Sequence, residues 1–552
     1  MRPNAKSQGN LETAPGAKLG AKSSLKQERN SVVFAALIFA SGTAASRVLG
    51  LFRDMLTARY FPSDVRDALL NAFRLPNLFR RIFGEGSLSV SFIPVFIDIL
   101  THKPSGELES DQRARALVAG VFSILLTVTL TVSLLAIVFM DDLMWVLLNG
   151  QSYMAVPGKF ELTVYLGRIM FGFLVLISLY GYFMAILNSL KKFAAAAIAP
   201  CFFNLSMIAA ALVSPRFAAP ETVLAFSVIV GGFLQMAVLI PGVVKSGYFP
   251  RFTFQWSSPD VFRVLKTILP SIFGVSMLQI TALVNMRFAA ELPSGSHSYL
   301  YLADRILELP LSLFVVSISS ALLPTLARYW AEKNKEAMAD TINHYIRLIA
   351  FVALPAAIGM FVLARPITEV LFLGRQFKYE DALATASVIR IYAFAVVVSA
   401  GVRILAQGFY AIQNTWFPAL AGGVALIAHV LFAYSLTKAF GLEGLATASV
   451  GSALVNLLML ATAYNEWVGS LQFKAFLKSF FRFAICGAVM VAALQLYDPL
   501  FPLIAGKFRG SRAVVLFAVS AFGVGLYFLS GRLLRVEEFR ETMAAFRARF
   551  SR

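Results

Sequence analysis

Charged side chains interrupt several of the most apolar stretches of this sequence, where an unpaired charge is costly and therefore indicates function. The first two predicted spans and the eighth carry most of them: Arg47, Arg53, Asp54, Arg74, Arg80, Arg81, Glu85, Asp304, Arg305 and Glu308. Arginine is the commonest residue in this set, and its guanidinium group presents a planar fork of donors that suits the oxygens of a diphosphate. The pattern predicts recognition of an anion inside a membrane.

The spacing of these charges gives them common directions on their helices. Arg47 and Asp54 are seven residues apart, which places them on one helix face. Two further sets share a face in the same way: Arg74 with Arg81 and Glu85, and Asp304 with Glu308. Such faces predict a cationic cavity between helices. The alternative is that some arginines extend to lipid headgroups or pair structurally with Asp54 and Glu85.

The composition is that of a chain mostly embedded in lipid. Of its 552 residues, 58% are hydrophobic and only 14% are charged, whereas about a quarter of a soluble domain is charged. Apolar stretches of about 18 residues or more recur along the sequence, long enough to cross roughly 30 Å of hydrocarbon. The formal charge of +19 fits basic cytoplasmic loops better than nucleic-acid binding.

Motifs for covalent or metal chemistry are missing from the sequence. It has no Gly-rich phosphate loop ending in Lys-Ser/Thr, no nucleophile elbow and no HExxH pattern. Cys201 and Cys486 lie in apolar stretches, and the four histidines are scattered without ligand spacing. We therefore predict a protein that is not an enzyme, with no cofactor and no metal site.

We predict an all-α polytopic membrane protein with about 14 transmembrane helices. The predicted spans are 31–59, 66–100, 114–139, 161–189, 193–213, 221–244, 261–290, 298–327, 345–364, 382–412, 417–437, 442–465, 479–496 and 513–530. Lys and Arg outside these spans are more frequent on the side of the N-terminal tail, so both termini are expected in the cytoplasm. Residues 1–29 are predicted to form a disordered cytoplasmic tail rather than a signal peptide. Residues 532–552 are predicted to form a basic segment on the inner leaflet.

A weak internal duplication predicts two lobes. Residues 184–189 (MAILNS) resemble 410–415 (YAIQNT), and two shorter matches occur at nearly the same separation. Six helices separate the copies, so the repeat keeps its orientation and predicts two pseudo-symmetric six-helix lobes plus two C-terminal helices. The predicted boundaries are 30–244 for the N-terminal lobe, 245–260 for a cytoplasmic linker, 261–465 for the C-terminal lobe and 466–531 for the added helices.

Several stretches of the sequence resemble a known family. They are 46–54 (SRVLGLFRD), 71–86 (NAFRLPNLFRRIFGEG), 91–94 (SFIP), 301–310 (YLADRILELP) and 408–415 (GFYAIQNT). From about residue 30 to the C-terminus the sequence is similar to the MurJ (MviN) lipid II flippases. The resemblance implies the multidrug/oligosaccharidyl-lipid/polysaccharide exporter fold, with fourteen helices in a V shape. It also implies transfer of undecaprenyl-diphosphate-linked disaccharide-pentapeptide to the outer leaflet of the bacterial inner membrane, for peptidoglycan synthesis.

The resemblance also implies roles for individual positions. The cavity arginines that bind substrate fall on Arg47, Arg53, Arg80 and Arg305. A gate-region carboxylate falls on Asp67, and supporting acidic positions fall on Glu85 and Glu308; helix spacing adds Arg74, Arg81 and Asp304 to the supporting set. Some relatives carry an aspartate of a sodium site in the seventh span. This sequence has Asn285 near that position, so the coupling ion stays open.

Other functions remain open at this point. A drug exporter of the same superfamily typically has twelve helices and receives cations at acidic or aromatic sites, so the arginine-rich first lobe argues against it. A flippase for another polyprenyl-diphosphate oligosaccharide is a closer alternative. A non-transporting scaffold for cell-wall enzymes would lack buried charge, and a membrane glycosyltransferase would need an acidic donor-binding motif.

The expected energy source is the inside-negative membrane potential or an exchanged ion. The potential is worth about 2.3 kcal/mol per charge per 100 mV and favours outward movement of an anion. The expected partners are lipid II, membrane lipids and proteins of cell-wall synthesis, with no nucleic acid.

Overall fold

The computed structural model describes residues 41–80, 87–101, 107–254, 256–504, 510–541 and 543. Within these ranges the chain is helical apart from short connections, and no residue is in a β-strand. This confirms the predicted all-α class. The predicted tail at 1–29 and the end of the basic segment at 544–552 lie outside the described residues.

The helices of the first half surround the N-terminal core. They are α1 (described over 41–60), α2 (Ser63–Phe79), α3 (Ser87–Thr101), α4 (Glu107–Val138), α5 (Met140–Leu148), α6 (Gln151–Met154), α7 (Lys159–Met170), α8 (Phe173–Ser189), α9 (Ala194–Val213), α10 (Pro220–Ala237) and α11 (Ile240–Lys245). The predicted span 66–100 corresponds to α2 and α3, on either side of residues 81–86, which the structure does not describe. The predicted span 161–189 is two consecutive helices, α7 and α8.

The second half continues in the same manner. Its helices are α12 (Pro259–Ala289), α13 (Ser296–Pro310), α14 (Val316–Ala331), α15 (Lys335–Val362), α16 (Ala364–Phe372), α17 (Tyr379–Ala411), α18 (Trp416–Trp467), α19 (Phe473–Leu494), α20 (Tyr497–Ile504) and α21 (Ser511–Leu533). A π-helical turn, Leu311–Val315, follows Pro310 and joins α13 to α14. A proline inside a helix removes a backbone donor, and it explains why the predicted span 298–327 is not one regular helix.

Nine helical segments of the described chain are long and apolar enough to cross a membrane. One of them, α18, contains two predicted spans, 417–437 and 442–465, because the chain reverses at Gly441. Gly441 has a φ of 56°, which glycine adopts without steric cost. Beyond it the backbone returns so closely that a Cβ atom on Gly444 would lie 1.9 Å from the carbonyl oxygen of Leu436. The chain is therefore a multi-pass membrane protein, and the count of fourteen spans stays a prediction.

Separate apolar cores lie in the two halves of the chain. The N-terminal core includes Phe92, Phe96 and Tyr182, and the Tyr182 hydroxyl donates to the Val118 carbonyl at 2.6 Å. The C-terminal core is built from α13 to α18. A third core joins α19 and α21 to α15, where Tyr527 packs on Phe351. This arrangement fits two lobes with two helices added to the second.

Helix α12 belongs to both lobes. It begins at Ser258, whose hydroxyl accepts a hydrogen bond from the Val261 backbone at 3.3 Å. Its first part packs in the N-terminal core through Val261, and Asp260 accepts two hydrogen bonds from Arg113 at 2.5 and 2.7 Å. Its last part contacts α18, where the Asn285 amide oxygen lies 2.8 Å from His429 Nε2. One continuous helix thus connects the two cores.

Helix α1 also contacts both lobes and carries several polar side chains of the candidate site. Leu56 packs on Ile208 of α9 in the N-terminal lobe. Ala58, half a turn later, belongs to the C-terminal core. Asp54, one helical turn before Ala58, lies 3.4 Å from both Tyr301 and Arg305 of α13 and is therefore held at the junction of the lobes.

Candidate functional site

Arg53 and Asp54 of α1 form the first half of a polar cluster at the lobe junction. Arg53 is 8% exposed and donates to the Asp54 carboxylate from Nε at 2.9 Å and from Nη2 at 2.7 Å. Its Nη1 donates to the Asn204 amide oxygen on α9 at 3.2 Å. Its Nη2 also reaches the Tyr301 hydroxyl on α13 at 3.2 Å. Arg53 therefore links α1 and α9 to the opposite lobe.

Arg305 of α13 forms the second half. Its Nε and Nη2 donate to the Tyr301 hydroxyl at 3.1 and 2.9 Å, and its Nη1 donates to Glu308 at 2.8 Å. Its Nε also lies 3.4 Å from the Asp54 carboxylate. We call Arg53, Asp54, Tyr301, Arg305 and Glu308 the central cluster. It holds two guanidinium groups and two carboxylates, so its formal charge is zero.

The central cluster is not fully enclosed. The side chains of Arg305 and Glu308 are 32% and 45% exposed, whereas Asp54 is 7% exposed. Arg47 lies on the same face of α1 as Asp54, about 10 Å closer to the start of the helix. Arg47 is exposed and makes no hydrogen bond or ion pair with other described residues. The guanidinium group of Arg47 therefore provides an unpaired positive charge on the way to the central cluster.

The remaining predicted residues lie around this cluster rather than in it. Arg80, at the end of α2, donates to the Asn77 side chain at 2.9 Å. Half-buried Arg74 donates to the Ala282 carbonyl of α12 at 3.1 Å, and Asp304 is exposed on α13 beside Arg305. The predicted supporting residues Arg81 and Glu85 lie outside the described residues. The structure thus brings together Arg53, Arg305 and Glu308.

Asp67 of α2 is the centre of a second polar cluster, at the end of the bundle where α1 ends and α2 begins. The side chain is fully buried, and Lys159 Nζ, itself 3% exposed, donates to its Oδ2 at 2.9 Å. The backbone N–H of Gly295 donates to the same oxygen at 2.7 Å. The backbone N–H and hydroxyl of Ser298 donate to Oδ1 at 3.0 and 2.7 Å. We call Asp67, Lys159, Gly295 and Ser298 the closing cluster.

The closing cluster works as a helix cap provided by another part of the chain. Gly295 has a φ of 97° and precedes α13, so Asp67 binds the free N–H groups at the start of that helix. A carboxylate is also favoured there by the helix dipole. Because α2 belongs to one lobe and α13 to the other, this cap holds the lobes together.

Arg66 adds a second link across the same end. It is 2% exposed, and its Nη1 donates to the Ala58 carbonyl at 3.0 Å. Its Nη2 lies 3.5 Å from the Asp381 carboxylate, and its guanidinium carbon lies 4.7 Å from the centre of the Phe377 ring. The Tyr299 hydroxyl donates to the same aspartate. An arginine of one lobe is thus enclosed by residues of the other.

Backbone contacts close this end further. The Tyr153 N–H donates to the Ala290 carbonyl at 3.0 Å, and the Ser152 hydroxyl donates to the Glu291 carbonyl at 2.8 Å. Burial raises the pKa of the Tyr153 phenol above its usual range, so this side chain stays neutral. Its hydroxyl pairs with Thr163 at 2.7 Å. Hydrogen bonds from α6 to the end of α12 therefore add to the contacts that close this end.

For several side chains of these clusters, the sequence predicted no role. Tyr301 lies one helical turn before Arg305, and that spacing is a signal that could have identified it. Lys159 stands alone at the start of an apolar span, and its partner Asp67 is 92 positions away. Arg66 is adjacent to Asp67, but only the folded chain shows that it contacts the opposite lobe. In the part of the chain that the structure describes, no group of three or more His, Cys, Asp or Glu side chains is suited to hold a metal ion.

Comparison with known proteins identifies the family. A family model described as lipid II flippase MurJ matches residues 58–506. The chain belongs to the lipid II flippase MurJ family. A relative from Bdellovibrio bacteriovorus, named probable lipid II flippase MurJ, is 40% identical and covers 94% of this chain and 97% of its own length. The lipid II flippase MurJ of Burkholderia cenocepacia is 33% identical over 78% of this chain and 83% of its own length.

Solved structures show the same fold. A lipid II flippase MurJ in an inward closed conformation superimposes with a TM-score of 0.73 at 22% identity, over 89% of this chain and 99% of that structure. An inward-facing multidrug resistance MATE family transporter of the MOP superfamily superimposes with a TM-score of 0.65 at 13% identity, over 80% and 99%. The predicted exporter fold is therefore confirmed, as is the resemblance to the MurJ family.

Proposed function

We propose that this protein flips lipid II from the inner to the outer leaflet of the bacterial cytoplasmic membrane by alternating access. Membership of the MurJ family supports this function. The observation that carries it is the convergence of Arg53 from α1 and Arg305 from α13 on one carboxylate, Asp54, and one hydroxyl, Tyr301. Two guanidinium groups from opposite sides of the lobe junction are arranged to bind one diphosphate.

The carboxylates of the central cluster occupy the place of the substrate phosphates in the empty protein. A buried guanidinium needs a paired anion, because leaving it unpaired has a large desolvation cost. Asp54 and Glu308 supply that anion while the site is empty. A diphosphate, with about two negative charges, offers oxygens to both arginines in charge-assisted hydrogen bonds. Binding therefore replaces the carboxylates by the diphosphate, and both guanidinium groups stay paired with an anion throughout.

The orientation follows from the basic loops, which we place in the cytoplasm together with both termini. The closing cluster and Arg66 then lie on the periplasmic side, and Arg47 lies on the cytoplasmic side of the central cluster. A headgroup entering from the cytoplasm meets Arg47 first and the central cluster second. Its release to the periplasm requires the start of α13 to separate from Asp67.

The lipid part of the substrate need not enter the protein. The prenyl chain stays in the bilayer beside α19 and α21, which pack against α15 on the outside of the second lobe. The inside-negative potential favours outward movement of the anionic headgroup by about 2.3 kcal/mol per charge per 100 mV. An ion exchanged at an acidic residue of the pathway would reset the empty carrier. The flipped lipid II is then available to proteins of cell-wall synthesis.

Depletion of the protein followed by labelling of lipid II at the outer leaflet tests this function. Outer-leaflet lipid II should disappear on depletion and return with the wild-type chain. Arg305→Ala should not restore it, although the variant reaches the membrane. The matched control is Arg328→Ala, an exposed arginine at the end of α14 that pairs only loosely with Glu332 at 3.8 Å. Continued arrival of lipid II at the outer leaflet after depletion would contradict the proposal.

A further inference from the structure

A small cavity separates the central cluster from Arg66. Its volume is about 30 Å³, which is room for one or two water molecules. The walls come from both lobes and include Asp54, Thr57, Arg66, Leu70, Ser298 and Tyr301. The cavity therefore lies between the residues proposed to bind the substrate and the residues that close the far end.

Arg66 reaches this cavity with donors that are not used. Its Nε and Nη2 have no hydrogen-bond acceptor in the part of the chain that the structure describes, although the side chain is only 2% exposed. Its ion pair with Asp381, at 3.5 Å, is longer than a good hydrogen bond. Buried donors are nearly always satisfied, so water in the cavity is the expected acceptor. Arg66 is thus a buried cation with spare hydrogen-bonding capacity.

Asp54 forms another wall of the cavity and is the carboxylate that loses its partners when substrate binds. Its hydrogen bonds to Arg53 are short, but Arg305 and the Tyr301 hydroxyl are each 3.4 Å away. A diphosphate that takes both arginines leaves Asp54 buried without a cation. An unpaired buried carboxylate is strongly unfavourable. Arg66 lines the same cavity and is able to replace the lost cations.

We propose that Arg66 is a positioning residue that couples occupancy of the central cluster to opening of the periplasmic end. This inference rests on the proposed function, because it needs an anionic substrate at Arg53 and Arg305. When Asp54 is released, it attracts Arg66 across the water-filled cavity. Arg66 then leaves Asp381 and the Ala58 carbonyl. Asp381 is closer to the surface, with 13% exposure, so water solvates it as the lobes separate.

Distance measurements between spin labels on the two lobes test this coupling. Ala155 and Glu380 are exposed at the closed end, one on each side of the lobe junction, and the native Cys201 and Cys486 are buried. Labels on Ala155→Cys and Glu380→Cys in the full-length protein report opening. The probe is lipid II with a shortened prenyl chain, added to protein in detergent. In the otherwise wild-type protein, the probe should shift the population towards longer distances.

Arg66→Gln should separate binding from opening. The probe should still bind at Arg53 and Arg305, more weakly than in wild type because Asp54 has no replacement cation, but it should no longer change the distances. Arg66→Lys keeps the charge and should recover part of the response. Arg59→Gln is the matched control: Arg59 donates to the Val370 carbonyl across the same end at 2.8 Å but does not line the cavity. Arg59→Gln should change the label distances in the absence of the probe, and the probe should still increase them.

The outcomes are distinct. A full response to the probe in Arg66→Gln would overturn the coupling role and make Arg66 an ordinary contact of the closed end. A wild-type protein that binds the probe without any change in distance would also overturn it, and would leave the central cluster as the binding site. Failure of the wild-type protein to bind the probe would instead refute the proposed function itself, and the inference with it.

Discussion

The central cluster and the closing cluster are both built around one aspartate, but they satisfy it differently. Asp67 accepts four hydrogen bonds of 2.7 to 3.0 Å, two of them from backbone N–H groups that cannot move independently of α13. Asp54 has short bonds only to its neighbour Arg53, and its contacts with Arg305 and Tyr301 are 3.4 Å long. The first carboxylate is saturated, whereas the second is shared.

The difference indicates what each cluster is suited to do. A fully bonded buried ion pair holds one arrangement, because removing either partner leaves a charge in a dry environment. A shared carboxylate in a partly exposed cluster exchanges partners more readily, because its contacts with Arg305 and Tyr301 are long and Arg305 and Glu308 are partly exposed. We therefore expect the closing cluster to set the stability of the closed state and the central cluster to set ligand affinity.

The largest effect is expected for Lys159→Met. It leaves the Asp67 carboxylate buried without its cation, and such a loss typically costs about 3–5 kcal/mol. The closed end should open without ligand, which the label distances between positions 155 and 380 report. Asp67→Asn combined with Lys159→Met should be less damaging than Lys159→Met alone, because no bare charge remains.

The matched control for this change is Arg375→Met, which removes an exposed cation at the same end. It should leave the distances unchanged. If the label distances in Lys159→Met equal those of wild type, the buried pair does not hold the lobes together. The two clusters would then not differ in the roles expected of them.

A smaller effect is expected for Arg305→Ala, and on a different quantity. Loss of a charged hydrogen-bond donor should weaken lipid II binding by about 1.5–3 kcal/mol, roughly 10- to 150-fold. Glu308→Gln is the informative partner, because Glu308 competes with the substrate for Arg305 at 2.8 Å. It should bind lipid II at least as tightly as wild type. Weaker binding in Glu308→Gln would show that this carboxylate contributes to the site rather than competing for it.

Arg53→Lys should have a still smaller effect. The charge is kept, but lysine cannot present a fork of donors to the diphosphate, as Arg53 presents Nε and Nη2 to Oδ1 of Asp54 in the empty protein. We expect a decrease in lipid II affinity of about tenfold or less, near 1 kcal/mol. Equilibrium binding in detergent measures it. An unchanged affinity would mean that charge alone, without fork geometry, explains the role of Arg53.

The smallest effect is expected for Arg47→Ala. Arg47 is exposed and unpaired among the described residues, so its attraction for an anion is screened by salt. Lipid II affinity should decrease by about two- to threefold at low ionic strength, and the difference should vanish at about 1 M salt, where the Debye length is about 3 Å. A loss that persists at high salt would place Arg47 in direct contact with the bound headgroup.

Much of the fold was predictable from the sequence because lipid imposes simple rules on length and polarity. Apolar runs predicted the all-helical membrane class, and buried charge directed attention to Arg53 and Arg305, which do meet at the lobe junction. Helix boundaries were less predictable. The reversal at Gly441 fell between two predicted spans, whereas the π-helical turn after Pro310 lay inside one predicted span, because the apolar run continues past the proline.

The spacing of residues in the sequence could not predict the closing cluster. Periodicity relates residues on one helix, whereas Asp67 binds a lysine on α7 and the backbone at the start of α13. Two of its four hydrogen bonds come from main-chain donors, which no side-chain pattern can reveal. The balance of charge in the central cluster was also hidden, because the contact between Asp54 and Arg305 joins α1 to α13.

The helix shared by the two cores limits how this molecule can move. Residues 259–289 form one rod of about 46 Å whose first turns pack in the N-terminal core and whose last turns contact both lobes, α18 on one side and Arg74 and Tyr153 on the other. Separation of the lobes would therefore have to break contacts at its last turns or bend the rod. Pro270 lies between the two anchored portions and lacks the backbone donor that would stiffen that turn. The extent of lobe movement is therefore expected to depend on this one helix as well as on the charged clusters.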